Sequence, residues 1–413
     1  MNFEYFIAKR LIKGKEHKSS ISSAIIKIAI FAIAIGMVMM LITVATGIGL
    51  QRKIREKVAA FNGHVIITSY DNNNSIESLI PIKKDQHFYP NFVDVEGIKH
   101  VQGFATKGGL IRTEDDFEGV VVKGIGNDYD WSYFEEYLIK GALPDFKDPR
   151  NNQILISAYT SSRLGLEVGD KANTIFLKKN SSSNIPANIR AFEIVGIYDS
   201  GFQEFDEKFI FADIRHIQKM NKWKDGEVGG FEVFIDDFDE IDKKGKEIYE
   251  SIPSDLEAQT IALKYGSIFE WLKLFDLNII GIIGIIILVA GINMITALLV
   301  LILERTQMIG ILKSLGTNDW SIRKVFLYNA GYLILLGLFW GNLIGISLLF
   351  IQKHYGVIGL NPVTYYVSTA PIYISLGYII LLNIGTTLLC LTMLLIPSYV
   401  IAKISPSKAI RFQ

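Results

Sequence analysis

Four long stretches without any Lys, Arg, Asp or Glu constrain this chain more than any other feature of its sequence. They cover residues 28–51, 277–303, 325–352 and 354–402. A helix needs ~20 apolar residues to cross a hydrocarbon core of about 30 Å, so each of the first three stretches fits one transmembrane span. The fourth is too long for one span and contains a polar segment, "GLNPVTYYVSTAP". We interpret that segment as part of a loop and place a fourth span at 372–402.

The distribution of Lys and Arg predicts which ends of the spans face the cytoplasm. Residues 1–27 hold six basic side chains, the 304–324 segment holds four and the 403–413 tail holds three, whereas the 353–371 loop holds only Lys353. Because cytoplasmic segments carry an excess of Lys and Arg, both termini and residues 304–324 are predicted to be cytoplasmic. The first 27 residues are predicted to be either an amphipathic helix on the inner leaflet or a basic segment that enforces topology, and the first span is predicted to be an uncleaved anchor.

Residues 52–276 are then predicted to form one large domain on the other side of the membrane, between the first and second spans. This segment carries 28 basic and 38 acidic residues, and it is long enough to bury a core of its own. Strand-like runs alternate in it with a helical pattern in "DEIDKKGKEIYESI". The predicted fold class is a polytopic α-helical membrane protein with four transmembrane helices and an inserted α+β domain. The strand-like runs are "HVIITSY", "GVVVKGI", "QILIS", "TIFL", "FEIVGIY", "KFIFA" and "FEVFI".

One segment of this domain, "KKNSSSNIPANIR", is rich in Ser and Asn and separates two strand-like runs. It spans Lys178–Arg190 and is predicted to be an exposed excursion from a hairpin. An ordinary connection and a functional loop are both compatible with its composition.

Small and polar residues within the apolar stretches predict close packing between spans. Gly337, Gly341 and Gly345 recur every four residues on one face of the third span, which permits close approach of another helix. Asparagines within the spans are expected to face neighbouring helices or a wet cavity, since lipid offers an amide no partner. They are Asn293, Asn329, Asn342 and Asn383.

The segment "ERTQMIGILKSLGTNDWSIRK", residues 304–324, is predicted to be a cytoplasmic helical elbow. Met308, Ile311, Leu312 and Leu315 share one helical stripe, with Ile309 at its edge. Gly316 is a natural helix stop, and Thr317 or Asn318 can cap a second helix that continues into the third span. Such an elbow rests on lipid or docks a soluble partner.

Motifs for catalysis are absent from the sequence. It contains no phosphate-binding G-x-x-x-x-G-K-[ST] loop and no H-E-x-x-H, its six histidines are scattered, and its one cysteine, Cys390, lies in an apolar stretch. The chain is therefore predicted to be non-catalytic, without a cofactor of its own. A docked ATPase would explain both the elbow and the missing nucleotide-binding loop.

Several segments of the chain together resemble a known family. "NMITALLVLILERTQMIGILKSLGTNDWSIRKVF" and "IPSYVIAKISPSKAIRF" are similar to the signatures of FtsX-type ABC transporter permeases. "SRLGLEVGD", "FEIVGIYDSGFQEFDEKFIF", "NPVTYYVSTAP" and the opening segment resemble the lipoprotein-releasing subgroup, LolC and LolE. The resemblance covers essentially the whole chain.

The resemblance implies a multi-pass permease of the bacterial inner membrane that pairs with a second copy or a sister permease. Cytoplasmic ATPase subunits would bind ATP and Mg²⁺ and dock on the elbow, where this chain has Met308 in place of the family's usual Glu. The implied cargo is a lipoprotein, handed to a periplasmic carrier by a hook, and no nucleic acid is involved. The implied coupling residues are Arg305, Gln307, Met308, Ile309, Ile311, Leu312, Lys313, Leu315 and Gly316, and the implied hook residues are Lys178, Lys179, Pro186 and Arg190.

Extraction of three acyl chains would also need an apolar path through the membrane. We expect it between the first and second spans of paired subunits, with adaptable side chains along it. The candidates are Met37, Met40, Leu41 and Asn293.

Other FtsX-type machines remain alternatives. A MacB-like exporter component normally carries a fused ATPase, and a regulator of cell-wall hydrolases normally has a smaller external domain. A membrane receptor without ATPase coupling would leave the elbow unexplained.

Overall fold

The structure is a computed structural model that describes residues 3–13, 21–72, 75–147, 151–177 and 187–404. These residues divide into two compact units. We call the first the helical unit, which comprises Met1–Gln51, Leu272–Gly359 and Thr369–Gln413. The second is the sheet unit, which comprises Arg52–Trp271 and Leu360–Ser368.

The elements are numbered along the chain. The helices are α1 (Phe3–Lys13), α2 (Ile21–Asn62), α3 (Ala158–Leu164), α4 (Gln203–Asp206), α5 (Ile214–Asn221), α6 (Ile241–Ser251), α7 (Ile261–Lys264), α8 (Gly266–Glu304), α9 (Thr306–Ser314), α10 (Asp319–Tyr355), α11 (Pro362–Tyr365), α12 (Leu376–Ser398) and α13 (Val400–Lys403). The strands are β1 (Val65–Ser69), β2 (Ile82–Lys83), β3 (Ile98–Arg112), β4 (Phe117–Ile125), β5 (Leu138–Gly141), β6 (Gln153–Ser157), β7 (Lys171–Leu177), β8 (Ala187–Tyr198), β9 (Phe209–Asp213), β10 (Glu227–Val228), β11 (Gly230–Ile235) and β12 (Leu256–Thr260).

Four helices of the described residues are long and apolar enough to cross a membrane: α2, α8, α10 and α12. In the helical unit, α10 lies directly against α2 along the predicted glycine face. A Cβ at Gly341 would lie 2.6 Å from the Cβ of Met37 and 2.8 Å from the carbonyl oxygen of Ala34. Gly337 and Gly345 are equally close to Ile33 and Leu41. At Gly337 and Gly341 the close atoms include backbone carbonyl oxygens, so these two glycines set the distance between the helices, whereas at Gly345 the closest atom is the end of the Leu41 side chain.

The same packing places three of the residues predicted for the lipid path. Met37, Met40 and Leu41 are buried in the core of the helical unit. Met37 and Leu41 are held there because the glycine face of α10 approaches their side of α2. Asn293 is half-buried on α8.

Side-chain amides join α10 to the last span. The Nδ2 of Asn342 donates to the Oδ1 of Asn383 over 2.7 Å, and the Nδ2 of Asn383 donates back to the Oδ1 of Asn342 over 3.1 Å. This reciprocal pair satisfies both amides in an apolar setting, as expected for asparagines facing a neighbouring helix.

The sheet unit is built on a mixed ten-stranded sheet in the order β12-β1-β11-β3-β4-β9-β6-β8-β5. Strand β7 pairs with both β3 and β8, so β3, β4, β9, β6, β8 and β7 form a closed ring of strands. Closure leaves these strands without a free edge and encloses a shared core. Phe176, Phe192, Ile194, Ile111 and Val122 are fully buried within it.

A buried ion pair attaches the end of α2 to this sheet. Lys123 on β4 and Glu232 on β11 lie 2.6 Å apart, and both side chains are almost completely buried. The ammonium of Lys123 also donates to the carbonyl oxygen of Phe61 in the last turn of α2, and Gln102 donates to Glu232. Burial lowers the pKa of Lys123, and the carboxylate of Glu232 opposes that shift. Because each charge is paired and hydrogen-bonded, removing either partner would leave the other uncompensated.

A second buried cation, Lys57 of α2, holds the loop Leu360–Ser368 on the sheet unit. Lys57 donates to the carbonyl oxygens of Ser200 and of Tyr366, and the ring of Tyr366 stacks on Phe202 at 4.4 Å. Ser200 in turn donates its hydroxyl and its N–H to the Oδ1 of Asp206. Burial raises the pKa of Asp206 to about 6.

The strand-like runs read from the sequence are confirmed as β1, β4, β6, β7, β8, β9 and β11, and the helical pattern is confirmed as α6. The longest strand, β3, was missed because Gly103, Gly108 and Gly109 interrupt its alternation. Helix α2 continues to Asn62, beyond the end of the apolar stretch 28–51. Helix α8 begins at Gly266, before the start of the apolar stretch 277–303.

The glycine contact predicts a specific defect. We expect Gly341→Ala to lower the melting temperature of the detergent-purified chain, since the new Cβ overlaps Met37 and Ala34 and overpacking costs about 1–3 kcal/mol. Gly331→Ala on the same helix is the matched control, because its nearest neighbour would be 4.0 Å from the new Cβ. Equal melting temperatures for the two variants would contradict the contact.

Asp206 predicts a pH-dependent stability. Its pKa is about 6 in the folded chain and 3.8 ordinarily, so the folded state binds more protons between these values and stability falls as pH rises through that window. Asp206→Asn should remove a loss on the order of 2 kcal/mol, seen by thermal unfolding at pH 4.5 and 7.5. The exposed Asp225→Asn is the control. An unchanged pH profile in Asp206→Asn would refute the assignment.

Candidate functional site

The elbow between α8 and α10 consists of the short helix α9 and two capping residues. The N–H of Gly316 bonds to the carbonyl of Lys313, and that of Thr317 bonds to the carbonyl of Leu312, each over 3.0 Å. Gly316 takes φ +85°, the left-handed conformation that this pattern of helix termination requires. The side chain of Asn318 then accepts from the N–H of Trp320 and caps α10. The predicted glycine stop and asparagine cap are therefore both present.

Lys313 fixes α9 to the end of the last span. Its ammonium donates to the carbonyl oxygens of Ile401 and Ile404 over 2.8 and 3.0 Å, and to that of Ala402 over 3.3 Å. It also pairs with Asp319 at 2.9 Å. Unpaired carbonyls at a helix end attract cations, so one lysine joins α9, α10 and α13. Its side chain is only 10% exposed, so its role in this chain is to position the elbow.

The apolar residues of the predicted stripe divide between two faces of α9. Ile309 is completely buried, and Met308 and Leu312 pack against the core of the helical unit. Ile311 and Leu315 are 48% and 78% exposed. We call these two residues the ridge. Of the other predicted coupling residues, Gln307 and Gly316 are exposed and Arg305 is half-buried.

The N-terminal helix α1 packs on the first turns of α10. Glu4 accepts from the hydroxyl of Ser321 at 3.2 Å and lies 4.0 Å from the ammonium of Lys324, and the ring of Tyr5 meets that of Tyr328 edge-on. A backbone hydrogen bond, then Ser321 and Lys324, hold the pKa of Glu4 below its ordinary value. Phe3 and Phe6 remain exposed on the other side of α1.

These contacts bring three separate chain segments to one end of the helical unit. Helix α1, the elbow and the end of the last span meet there through Glu4, Lys313 and the guanidinium of Arg323, which lies 4.3 Å from the ring of Tyr399. Lys9, Arg10 and Lys324 add positive charge at this end.

The other predicted site residues lie elsewhere. Arg190 is exposed on β8 and lies opposite Thr174 of β7. Strand β7 precedes the proposed hook in the chain, and β8 follows it. Lys178, Lys179 and Pro186 fall outside the described residues. Within the ranges that the structure describes, no group of His, Cys, Asp or Glu is arranged to hold a metal ion.

Two family models match the chain. The MacB-like periplasmic core domain matches residues 28–243, and the FtsX-like permease C-terminal domain matches residues 280–406, which includes the elbow. The chain belongs to the FtsX/MacB family of ABC transporter permeases.

Curated relatives of this permease match it from end to end. LolC of the lipoprotein-releasing system of Neisseria meningitidis is 22% identical, with all of both chains covered. LolC and LolE of Haemophilus influenzae are 23% and 22% identical, with 99% or more of each chain covered. Among solved structures, the extracellular domain of the noncanonic ABC-type transporter YknZ from Gram-positive bacteria is 12% identical. It covers 48% of this chain and 99% of its own, with a TM-score of 0.31.

The structure adds features of the permease that the sequence did not reveal. Leu303 at the end of α8 and Trp320 at the start of α10 are exposed apolar side chains on either side of the ridge in the sequence. The sequence does not single out Leu303, because this residue continues an apolar stretch. The docking of α1 on α10 has one signal in the sequence, the acidic Glu4 within a basic segment.

Lys313 predicts a loss of rigidity in the elbow. We expect Lys313→Met to lower the melting temperature of the purified permease, since hydrogen bonds to charged groups contribute about 1.5–3 kcal/mol and the carbonyls of α13 lose their donor. Lys324→Met is the matched control, because its pair with Glu4 is long and exposed and contributes little. Indistinguishable melting temperatures would show that Lys313 does not hold the elbow.

Proposed function

We propose that this chain is the permease subunit of a lipoprotein-releasing ABC transporter in the bacterial inner membrane. It couples ATP hydrolysis on a separate ATPase subunit to extraction of lipoproteins and their transfer to a periplasmic carrier. The cargo is inferred from the relatives that match the whole chain, which are named as transmembrane proteins of lipoprotein-releasing systems. Those names include both LolC and LolE, so a sister permease or a second copy of this chain completes the transporter.

The docking of the ATPase is carried by one observation: two large apolar side chains of α9 are exposed in the same segment as several basic residues. Ile311 and Leu315 form the ridge, at the end of the helical unit that holds α1 and the end of the last span. The excess of Lys and Arg makes this end cytoplasmic. Exposed apolar side chains on a rigid element are typical of protein interfaces. ATP and Mg²⁺ bind to the partner, since the sequence has no phosphate-binding loop.

The contact differs from the one expected from the sequence. Met308 replaces the family's usual Glu but packs against the helical unit, so it offers the ATPase little surface. Ile311 and Leu315 form the contact with the ATPase, and Lys313 holds α9 in position. A fixed position matters because a force applied to a loosely held helix would be lost in local motion.

The work required is large enough to need such coupling. Each buried CH₂ of a lipid anchor contributes about 0.8 kcal/mol to its retention, so three acyl chains resist extraction strongly. Residues 52–276, with their net negative charge, form the periplasmic domain that receives the cargo. The β7–β8 hairpin, with the exposed Arg190 midway along its ladder, carries the hook to which the carrier binds.

The ridge yields the direct test of ATPase docking. We expect Ile311→Asp combined with Leu315→Asp to reduce the ATPase that co-purifies in mild detergent by about tenfold or more, since buried anchor residues contribute ~2 kcal/mol each. Both side chains are exposed, so the helical unit should still fold.

The matched control places the same charges on exposed apolar residues of the sheet unit, Val93→Asp with Leu263→Asp. It should leave ATPase recovery unchanged. Undiminished recovery with the ridge variant would reject the docking surface, and equal loss in both variants would reject its specificity.

The hook can be removed without disturbing its strands. Leu177 and Ala187 lie directly opposite each other in the β7–β8 ladder, so Asn-Gly in place of residues 178–186 closes a tight hairpin. We expect this variant to lose photo-crosslinks to the carrier while its ATPase activity persists. Arg163→Glu, an exposed charge change on α3, is the control. Crosslinks that survive the deletion would make the segment an ordinary connection.

A further inference from the structure

An open apolar groove of about 550 Å³ runs along the outside of the helical unit between α2 and α10. Ile30, Phe31, Ile35 and Met39 of α2 form one wall, and Trp340 and Ile344 of α10 form the other. Its lining is carbon almost throughout, with one charged residue, Lys27, at one end. It is distinct from the buried Met37, Met40 and Leu41, which lie on the inner side of α2.

The groove is a fixed feature because the glycine contact forms its floor. Ala34 and Val38 lie in the groove lining, and their backbone atoms are the ones that Gly341 and Gly345 approach. The glycines bring the two backbones together, whereas the large side chains on either side remain exposed. A cleft of constant width follows from this arrangement.

The length of the groove matches one leaflet of a bilayer. Lys27 and Met39 are twelve residues apart on one helix, which corresponds to ~18 Å along its axis. Half of a hydrocarbon core of about 30 Å is ~15 Å, so the groove reaches from the headgroup level to the middle of the membrane.

The volume of the groove favours a hydrocarbon chain over a protein helix. A helix is about 10 Å wide, so a length of ~18 Å would fill roughly 1,400 Å³, more than twice the space present. The flexible thioether of Met39 and the rings of Phe31 and Trp340 suit an irregular acyl chain. The ammonium of Lys27 is exposed at the mouth, where it would meet a lipid phosphate.

We propose that this groove is a binding site for one acyl chain of an anionic phospholipid, whose phosphate pairs with Lys27. The lipid belongs to the leaflet on the Lys27 side of the membrane. None of its lining residues belongs to the ridge proposed for ATPase docking. It seals the cleft between the first and third spans with a molecule that the membrane supplies.

The test measures lipid retained by the full-length protein. The permease is reconstituted in vesicles of equal parts phosphatidylglycerol and phosphatidylethanolamine with identical chains, re-extracted in mild detergent and analysed by native mass spectrometry. We expect about one retained phosphatidylglycerol per chain. Lys27→Gln should reduce the preference for phosphatidylglycerol about fivefold, the change expected for one lysine near anionic lipid. Lys27→Arg should preserve it.

A second variant tests the hydrocarbon part. Ile35→Trp fills the groove and should abolish retention of both lipids. The controls are Lys353→Gln, a lysine away from the groove, and Leu381→Trp, an exposed position on α12. They should behave as wild type. Equal retention of the two lipids by the wild type, or no difference between Lys27→Gln and Lys353→Gln, would overturn the proposal.

The competing occupant is a span of a second copy of this chain. Ile35→Cys, in a chain whose only other cysteine is the buried Cys390, reports on it by disulfide formation between copies. A high yield of crosslinked dimer in native membranes would show that protein fills the groove and would reject the lipid. A monomeric product would support the lipid.

Discussion

The close contact between α2 and α10 is the constraint on which the helical unit depends. Three glycines in one face of α10 let the backbones approach until a single added carbon would overlap Met37 or Ala34. Lipid is as apolar as the side chains, so burial alone does not hold spans together, and packing and polar contacts must do so. The glycine face supplies the packing, and the Asn342–Asn383 pair supplies a polar contact to α12. The outer groove exists for the same reason, since it follows the line along which the two helices meet.

The elbow is a rigid attachment on this packed bundle. Ile309 is fully buried and Lys313 is tied to three carbonyls of the last span, so α9 is anchored on its inner face and at its C-terminal end. The outer face leaves Ile311 and Leu315 exposed. Buried cations play a comparable part in the sheet unit, where Lys123 and Lys57 attach α2 to the sheet and to the loop Leu360–Ser368. These attachments fix the position of α9 within the helical unit and of the end of α2 within the sheet unit.

Much of this organisation could be predicted from the sequence where the physical signal is local. The length of the apolar stretches identified the four long helices, and the alternation of apolar and polar residues identified seven strands. Gly316 predicted the end of α9, and Asn318 predicted the start of α10. The signal failed where structure depends on distant residues. Strand β3 was missed because its glycines break the alternation, although its pairing with β4, β7 and β11 stabilises it. The stripe on α9 could not be divided into a buried and an exposed face, because that division depends on which side meets the bundle. The hydrogen bonds of Lys313 to the last span could not be predicted, because the carbonyls that accept them lie about ninety positions later in the chain.

In the proposed function, ATP hydrolysis on a docked partner drives a lipoprotein out of the membrane through this permease. The most direct measurement reconstitutes the permease with its co-purifying ATPase and sister subunit in vesicles containing a triacylated lipoprotein, and counts the lipoprotein transferred to a soluble carrier. We expect transfer to require hydrolysable ATP and to stop when a non-hydrolysable analogue replaces it. Normal ATP hydrolysis with the lipoprotein still in the vesicles, or transfer without ATP, would contradict it.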